Sequence, residues 1–349
     1  MQEKLQQACD AAQEALIRCF WSDERSIFNP NRPYDPAHNP AYWWQAHAID
    51  ALLDGYLRTG DKAFLDRAEM ELKGTILANQ GTLINNWYDD MEWMALALLR
   101  WHDITGEEKL LRRVQLLWQD IRTAWNDHCG GGMAWRKNQL DYKNTPANAP
   151  AAILALRLYQ RFGDEEDLEW GRKILLWNRD HLMDPETFYV YDGINREGTG
   201  RIDLEWDFTY NQGVMIGACV EMYRITAESE WLDLALGIAG RAKRVYCDAH
   251  GGVMPWEGEE DCGLFRGILT RYLAELYTVA SEKDRPWIAG MLSSCARALM
   301  EHGMDPAGLI GGDWQTPPGK DQKVDLAQHL SGIMLLEMLD KILRAENPE

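Results

Sequence analysis

Two kinds of interruption alternate along this chain of 349 residues, and they separate long segments whose apolar residues recur at helical spacing. The first kind is short and polar, and each example has the form of a helix C-terminus that runs into an acidic helix start. These short interruptions are Thr59-Gly60-Asp61, Thr105-Gly106-Glu107, Phe162-Gly163-Asp164, Thr226-Ala227-Glu228-Ser229 and Ser281-Glu282-Lys283-Asp284. The second kind is longer and rich in glycine and aromatic residues, as in 81–87, 130–135, 188–191, 251–256 and 308–314. The alternation predicts helical hairpins that repeat about every 50 to 60 residues.

This repeat predicts an all-α fold of about twelve helices in about six hairpins. Stacked hairpins form either an open array or a closed ring. A closed ring, an (α/α)6 toroid, buries its inner helices and gathers the longer interruptions on one face, where loops on a rigid scaffold carry functional residues. We favour the toroid because the turns of open arrays are short and alike. No Pro-, Gly- or Ser-rich linker divides the chain, so we expect a single domain over residues 1–349.

The composition favours a soluble protein that acts on a neutral or cationic ligand. The net charge is −19, and nucleic acids and anionic membranes bind basic patches, so neither is an expected partner. No apolar run approaches the length of a membrane span. Segment 1–21 has the spacing of an amphipathic helix rather than of a signal peptide, and the seven cysteines form no C-x-x-C pair. We therefore expect a reduced, cytoplasmic setting.

Motifs for metal, nucleotide and serine-hydrolase chemistry are missing from the sequence. The chain has no H-E-x-x-H, zinc-type Cys/His set, Walker loop, G-x-S-x-G or G-x-G-x-x-G motif. We therefore expect no metal and no cofactor, which leaves carboxylates, amides and aromatic rings for chemistry. Indole faces pack on the apolar faces of sugar rings, and amides match sugar hydroxyls as donors and acceptors. These residue types indicate a carbohydrate ligand.

Two adjacent carboxylates, Asp89 and Asp90, lie among aromatic rings in the segment Asn86-Trp87-Tyr88-Asp89-Asp90-Met91-Glu92-Trp93. Carboxylates usually face water, and large aromatic rings usually leave it. Desolvation and like-charge repulsion are expected to raise the pKa of at least one of the two acids. A protonated acid beside an ionised one is the arrangement that glycoside hydrolysis requires. The alternative is an ordinary acidic first turn, which the helix dipole favours.

Three further polar segments each precede a long apolar segment. They are Lys143-Asn144-Thr145-Pro146-Ala147-Asn148, Thr209-Tyr210-Asn211-Gln212-Gly213 and the acidic stretch 259–267. One interpretation is N-capping of a helix by Thr or Asn. Capping needs only one such side chain, whereas these segments offer several, so we interpret the surplus as ligand-binding groups.

Together these segments resemble glycoside hydrolase family 76, whose bacterial and fungal members are endo-acting α-1,6-mannanases on an (α/α)6 barrel. The double aspartate is the strongest element, and the supporting motifs lie in order between about Tyr42 and Tyr272. The resemblance implies a retaining hydrolase of α-1,6-mannosidic linkages in mannan or manno-oligosaccharides, with Asp89 as nucleophile and Asp90 as general acid/base. The residues that it implies for substrate binding are Trp43, Trp44, Gln45, Asn86, Trp87, Trp135, Tyr142, Lys143, Asn144, Asn148, Thr209, Tyr210, Asn211, Gln212, Asp261, Phe265 and Arg266.

The spacing of the pair is compatible with this mechanism, because neighbouring Cα atoms lie about 3.8 Å apart and can bring two carboxyls to the retaining separation of about 5 Å. Two features depart from the family pattern. Many relatives carry a secretion signal, and Arg266 stands where the family usually has Lys, which exchanges a point donor for a planar fork. Both departures concern the natural substrate. A short intracellular oligosaccharide therefore fits the sequence as well as polymeric mannan does.

Two other functions fit parts of the sequence. A sugar 2-epimerase of the related (α/α)6 type would need histidine bases, for which His47, His250 and His329 are the candidates. A non-catalytic carbohydrate-binding toroid would need neither Asp89 nor Asp90 in ionisable form. The sequence leaves endo or exo action and the oligomeric state open.

Overall fold

The computed structural model describes residues 2–38 and 41–346. Its α-helices are α1 (Gln2–Phe20), α2 (Tyr42–Thr59), α3 (Ala63–Ala78), α4 (Tyr88–Thr105), α5 (Glu108–Ile121), α6 (Thr145–Phe162), α7 (Glu165–Leu182), α8 (Thr209–Thr226), α9 (Ser229–Ala242), α10 (Phe265–Val279), α11 (Arg285–Ala298) and α12 (Leu326–Glu346). The strands are β1 (Trp21–Ser22), β2 (Ile27–Phe28), β3 (Asn31–Arg32), β4 (Ala134–Arg136), β5 (Gln139–Asn144), β6 (Gly193–Ile194) and β7 (Val324–Asp325). The described residues therefore confirm the predicted all-α class and its twelve helices.

The short interruptions end helices as the sequence predicts. Gly60, Gly106 and Gly163 follow α2, α4 and α6 with φ of 74°, 71° and 71°, and each amide bonds back to the last turn of its helix. Only glycine adopts this left-handed conformation without steric cost. Ala227 takes the same conformation after α8, at φ 56°, so a non-glycine residue carries that strain.

The chain divides into two compact units. Thr82–Ala242 forms the central unit, and Met1–Gly81 with Lys243–Glu349 forms the terminal unit. In the central unit, α4/α5, α6/α7 and α8/α9 are consecutive hairpins, and α6 packs against both α4 and α8. In the terminal unit, α2/α3 and α10/α11 are hairpins, and α12 packs against α1, α2, α10 and α11.

Each hairpin pairs a helix buried nearly all round with a helix buried on one side. In α6, every residue from Thr145 to Leu156 is buried, since its side chains are mostly small or aliphatic. In α5, the buried residues recur at intervals of three or four, which is the stripe of an amphipathic helix that faces a core on one side only. No helix in the described ranges combines the length and apolar character needed to cross a bilayer.

Short antiparallel strands tie the longer interruptions of the central unit together, and the sequence did not predict them. β5 pairs with β4 and β6, with Lys143 opposite both Ala134 and Ile194. An isolated bridge joins Trp87 to Arg136 of β4. The interruptions that precede α4, α6 and α8 are thus connected at the N-terminal ends of these three buried helices. β4 and β6 have three and two residues, which is too few to show alternation in the sequence, and the six residues of β5 are mostly polar.

In the terminal unit, β3 pairs with β7 so that Asn31 lies opposite Asp325. This pairing connects the segment before α2 to the segment before α12. α12 is buried continuously from Leu326 to Asp340 and forms the centre of this unit.

Candidate active site

The two adjacent carboxylates lie in the first turn of α4, where both are partly exposed. Asn85 organises this turn: its Oδ1 accepts from the amide of Trp87 at 2.9 Å, and its Nδ2 lies 3.4 Å from Oδ2 of Asp90. Oδ1 of Asp89 accepts from the amide of Asp90 at 3.0 Å. A side chain from outside the helix therefore fixes the turn, and the carboxylates lie at its N-terminal end.

Trp135 on β4 joins the hairpin to the carboxylate pair. Its indole Nε1 donates to Oδ2 of Asp89 at 3.0 Å, and its ring meets the ring of Tyr142 edge-on at 5.7 Å between centres. Asp89 thus accepts an N–H donor on each oxygen, one from Trp135 and one from the amide of Asp90. Such donors, together with the helix N-terminus, stabilise a carboxylate in its ionised form.

Asn86 and Trp87 occupy the loop that approaches α4. Nδ2 of Asn86 donates to Oδ1 of Asn138 at 3.0 Å, and its carbonyl accepts from the amide of Lys137 at 2.9 Å. The side chain of Trp87 is 40% exposed. Asn86 therefore braces the loop against the β4–β5 turn, while the ring of Trp87 remains accessible beside the carboxylates.

Glu92 is a third carboxyl near the pair, one helical turn along α4 from Asp89. It is fully buried, and in the described part of the chain neither of its carboxyl oxygens has a hydrogen-bond partner of normal geometry. Burial raises the pKa of Glu92 well above its usual value, and the charges of Asp89 and Asp90 raise it further, against a lowering contact with the backbone of Ala151. Burial therefore favours the protonated form of Glu92, which places no third negative charge beside the pair.

Asp192 is the centre of a polar network that the sequence did not predict. It is 2% exposed, and its Oδ2 lies 2.6 Å from Nη2 of Arg196 and 3.2 Å from the hydroxyl of Tyr142. Arg196 also binds Asp203 at 3.0 Å, and the same Asp203 lies 3.0 Å from the Tyr142 hydroxyl. Burial raises the pKa of Asp192, and the hydrogen bond from Asn211 and the charge of Arg196 lower it.

Two residues of the motif at the start of α8 complete this network. The hydroxyl of Tyr210 donates to Oδ1 of Asp192 at 2.9 Å, and Nδ2 of Asn211 donates to the same oxygen at 3.0 Å. Burial raises the pKa of the Tyr210 hydroxyl, and the charge of Asp89 contributes to that rise. The hydroxyl of Tyr210 therefore lies within electrostatic reach of Asp89 as well as in contact with Asp192.

Other predicted binding residues of the central unit are buried and support loops. Nζ of Lys143 donates to the carbonyl of Gly132 at 2.7 Å, and burial lowers its pKa to about 8. Asn148 bonds both the amide and the carbonyl of Met133, at 2.8 and 3.1 Å, and also donates to the carbonyl of Asn144 at 2.7 Å. These residues hold the glycine-rich loop beside Trp135.

Gln212 supports a second loop in the same way. Its amide group bonds both the amide and the carbonyl of Val190, at 3.1 and 2.8 Å. Thr209 is fully buried at the start of α8. The residues before α6 and α8, Asn144 and Phe208, make no side-chain capping hydrogen bond. N-capping therefore does not account for the polar residues of these two motifs, although a direct role in substrate binding stays a prediction.

The terminal unit contains a second cluster of tryptophan and aspartate. The indole groups of Trp43 and Trp44, at the start of α2, both donate to Oδ1 of Asp261 at 2.9 Å. The ring of Trp43 lies 6.3 Å from that of Phe265 on α10. Gln45 is buried and donates to the carbonyl of Phe28 at 3.2 Å. The predicted binding residues of this unit therefore group around Asp261, with Gln45 as a structural neighbour.

Arg266 is 1% exposed and holds two loops of the terminal unit. Its Nη1 donates to the carbonyl of Met254 at 3.1 Å, its Nη2 donates to that of Gly312, and its guanidinium carbon lies 3.9 Å from the ring centre of Trp314. Burial lowers its pKa to about 10. The planar fork serves two carbonyls and a ring at once, which the single ammonium of a lysine does not.

The histidines considered for epimerase chemistry are placed poorly for it. The two ring nitrogens of His329 lie 3.1 Å from the amide of Ile310 and 3.0 Å from the carbonyl of Ala12. Burial lowers the pKa of His329 to about 4 and that of His47 to about 3. His250 is exposed on a short 3₁₀ helix.

Four residues of the central site were not identified from the sequence: Asn85, Asp192, Arg196 and Asp203. Asn85 directly precedes the segment that was singled out, so the run Asn85-Asn86 was an available signal. Asp192, Arg196 and Asp203 belong to a long interruption without a motif, and the strand pairing of β5 with β6 brings them to Tyr142. No sequence pattern indicates that pairing.

Comparison with known proteins agrees with the family suggested by the motifs. The sequence profile of glycosyl hydrolase family 76 matches residues 4–345. A mannan endo-1,6-alpha-mannosidase of Candida glabrata is 27% identical over 282 residues, which is 72% of this chain and 62% of that protein. The chain thus spans less than two thirds of the length of that curated relative.

Solved structures extend the likeness to the whole fold. The GH76A alpha-1,6-mannanase of Salegentibacter sp. HEL1_6 is 36% identical, with a TM-score of 0.92 over 97% of this chain and 99% of that one. A Listeria innocua protein is 38% identical, with a TM-score of 0.92 over 99% of both chains. The family's solved structures are (α/α)6 toroids, so the predicted fold class is confirmed.

The same Salegentibacter enzyme has been solved as an inactive variant, with two consecutive aspartates replaced by asparagine, in complex with alpha-1,6-mannotriose. The profile match over nearly the whole chain, and the identity above 30% over full-length structures, establish the family. The predicted enzyme class, a glycoside hydrolase, is confirmed with it. This chain belongs to glycosyl hydrolase family 76.

Proposed function

We propose that this protein hydrolyses α-1,6-mannosidic linkages in mannan or manno-oligosaccharides. The observation that carries the proposal is the Asp89–Asp90 pair at the N-terminal end of α4, with Trp135 bound to Asp89 at 3.0 Å. Family membership, the mannan endo-1,6-alpha-mannosidase relatives and the mannotriose complex of a 35% identical enzyme support the linkage.

Asp89 is the nucleophile in this proposal. Its Oδ atoms accept hydrogen bonds from the Asp90 amide and from Trp135, which favour the ionised form that attack requires. A carboxylate oxygen of Asp89 attacks the anomeric carbon, and the bond from that carbon to the leaving oxygen breaks. Asp90 supplies the proton that the leaving oxygen takes up.

The second step regenerates the pair. Asp90, now ionised, takes a proton from a water molecule as that water attacks the anomeric carbon of the glycosyl-enzyme. The ester bond to Asp89 breaks, and the carboxylate is restored. Two inversions leave the product in the α configuration. Glu92, whose burial favours the protonated form, takes no part in either proton transfer in this proposal.

The substrate-binding groups that we propose are the remaining members of the sequence-derived set. Those with accessible polar or aromatic groups contact the sugar, and those that are buried fix the loops that carry them. The cytoplasmic location and the single-domain organisation stay predictions.

The test is product analysis with the wild-type protein on α-1,6-mannan, α-1,6-mannobiose and α-1,6-mannotriose, with α-1,2- and α-1,3-mannobiose as controls. We expect shorter α-1,6-linked products, and NMR before mutarotation should show the α anomer first. Cleavage of the controls alone would overturn the linkage. A β product would mean inversion and a base from another loop, with Asp207 and Asp261 the first candidates.

A further inference from the structure

Trp206 is an accessible tryptophan that the proposed catalytic groups do not use. It lies in the interruption before α8, and 41% of its surface is exposed. Large aromatic rings usually leave water. Within the described residues, its indole N–H has no hydrogen-bond partner. The side chain therefore offers solvent both an apolar ring and a donor.

Arg196 fixes the position of this ring. Its guanidinium carbon lies 3.7 Å from the ring centre of Trp206 and 4.5 Å from that of Tyr142. Its Nη2 lies 2.6 Å from Asp192, and its Nε lies 3.0 Å from Asp203. A guanidinium held by two carboxylates has little freedom to move, so the ring that stacks on it is held as well.

A continuous set of contacts connects this ring to the proposed nucleophile. Trp135 donates to Asp89, the ring of Trp135 meets that of Tyr142, and Arg196 packs on the ring of Tyr142 before reaching Trp206. All four contacts lie within the central unit. Three side chains, those of Trp135, Tyr142 and Arg196, thus connect Trp206 to Asp89.

We propose that Trp206, held by Arg196, is a stacking platform for a mannosyl residue remote from the scissile bond. The proposal rests on the proposed function and adds a length preference to it. The apolar face of a sugar packs on an indole ring, and sugar hydroxyls can accept its N–H. Such a contact contributes the same binding free energy in the ground state and in the transition state. It therefore lowers KM without changing kcat.

The experiment measures kcat and KM of Trp206→Ala on α-1,6-manno-oligosaccharides from the di- to the pentasaccharide and on an aryl mannoside. We expect KM to rise about three- to tenfold on the longest substrates and to stay unchanged on the aryl mannoside. Trp206→Phe should recover part of the loss. Leu204→Ala is the matched control, since Leu204 is 68% exposed on the same loop.

Arg196→Lys tests the anchor. It keeps a positive charge beside Asp192 and Asp203 but has no planar face for Trp206. We expect its KM on long substrates to move in the same direction as that of Trp206→Ala, by a smaller factor.

An unchanged length profile in Trp206→Ala, or an equal loss on the aryl mannoside, would overturn the platform. A lower melting temperature with KM unchanged would assign Trp206 to loop packing alone. Failure of the wild type to cleave any α-1,6-mannoside would refute the proposed function instead. In that case, calorimetric titration of wild type and Trp206→Ala with α-1,6-mannotetraose tests the platform separately. A weaker affinity of Trp206→Ala supports it, and equal affinities overturn it.

Discussion

Two aspartates in this chain accept hydrogen bonds from tryptophan indoles, and their surroundings give them different chemistry. In the central unit, Asp89 takes one indole N–H on Oδ2 and has a second carboxylate next to it in the chain. In the terminal unit, one oxygen of Asp261 takes both indoles of Trp43 and Trp44. The same residue types thus form one acid pair and one acid that orients two rings.

The comparison shows that a carboxylate beside tryptophan is not itself a catalytic signal. Asp261 also has an acidic neighbour in the chain, Glu260, but that side chain is exposed. What distinguishes the central cluster is that its second acid is partly buried, that both acids lie at the N-terminus of α4, and that Glu92 is buried one turn along. Like charges at close range force neighbouring acids into different protonation states. At Asp261, burial raises the pKa of the carboxyl, and the two indole donors oppose that rise. We therefore expect loss of chemistry from changes at Asp89 and loss of binding from changes at Asp261.

Asp89→Asn and Asp90→Asn should break the reaction and give the largest effect. Each should lower kcat/KM on α-1,6-manno-oligosaccharides at least about 10³-fold, because each removes a group that the transition state uses. They should fail differently on an activated aryl mannoside, whose leaving group needs no proton. Asp90→Asn should still form the glycosyl-enzyme there, and azide should restore its turnover. Asp89→Asn should do neither.

Asp66→Asn is the matched control for these two variants. Asp66 is also an acidic residue in the first turn of a helix, α3, and the change should leave kcat/KM unaltered. If Asp89→Asn behaved like Asp66→Asn, the pair would be an ordinary acidic first turn, and the non-catalytic interpretation would hold.

Glu92→Gln tests the buried carboxyl of the central cluster through the pH dependence of the free energy of unfolding. The raised pKa of Glu92 means that the folded state keeps its proton at pH values where the unfolded chain, with a pKa near 4.5, has released it. The free energy of unfolding of the wild type therefore falls as pH rises above about 4.5, by up to about 1.4 kcal/mol per pH unit. Glu92→Gln is neutral in both states and escapes this loss.

Chemical denaturation should show the stability of Glu92→Gln increasing relative to that of wild type as the pH rises from 4 to 7. Glu108→Gln, an exposed acid on α5, should show no pH-dependent difference. The pH profile of kcat should be the same in Glu92→Gln and wild type. A shifted acid limb would mean that Glu92 is ionised and tunes the pair directly.

The fold could be predicted from the sequence because the same pattern, a long apolar segment with helical spacing, repeats along the chain. Twelve apolar segments with helical spacing, separated by glycine C-termini such as Gly60 and Gly106, specify hairpins without any tertiary information. The three-stranded sheet β4–β5–β6 was not readable. Its strands are short, and their pairing depends on contacts between segments distant in sequence.

The sequence predicted site residues only where they lie close together in the chain. Asp89 and Asp90 are adjacent, so their coupling is visible in the sequence. Asp192 reaches Tyr142 through the pairing of β5 with β6, so nothing local marks it. The sequence also did not show which of the predicted binding residues are buried. Asn148 and Gln212 belong to that set, yet all the hydrogen bonds that they make with described residues are to backbone groups.

Asp261→Asn should have a smaller effect than either variant of the pair. Asparagine keeps an acceptor oxygen for Trp43 and Trp44 but loses the charge that strengthens both hydrogen bonds. We expect KM on α-1,6-manno-oligosaccharides to rise about tenfold, with kcat nearly unchanged. Glu260→Gln, at the neighbouring position, is the control and should leave both constants unaltered. A collapse of kcat comparable to that of Asp89→Asn would make Asp261 catalytic and end the contrast between the two clusters.

Arg266→Lys should have the smallest effect, and it compares the buried cations of the two units. Lys143 donates to one glycine carbonyl, while Arg266 donates to two carbonyls and stacks on Trp314. A lysine at 266 leaves one buried carbonyl without its donor, so the free energy of unfolding should fall by about 1 kcal/mol in chemical denaturation. Because Arg266 is 1% exposed, KM should stay unchanged. A raised KM with unaltered stability would instead place its guanidinium against the sugar, as the family motif implies.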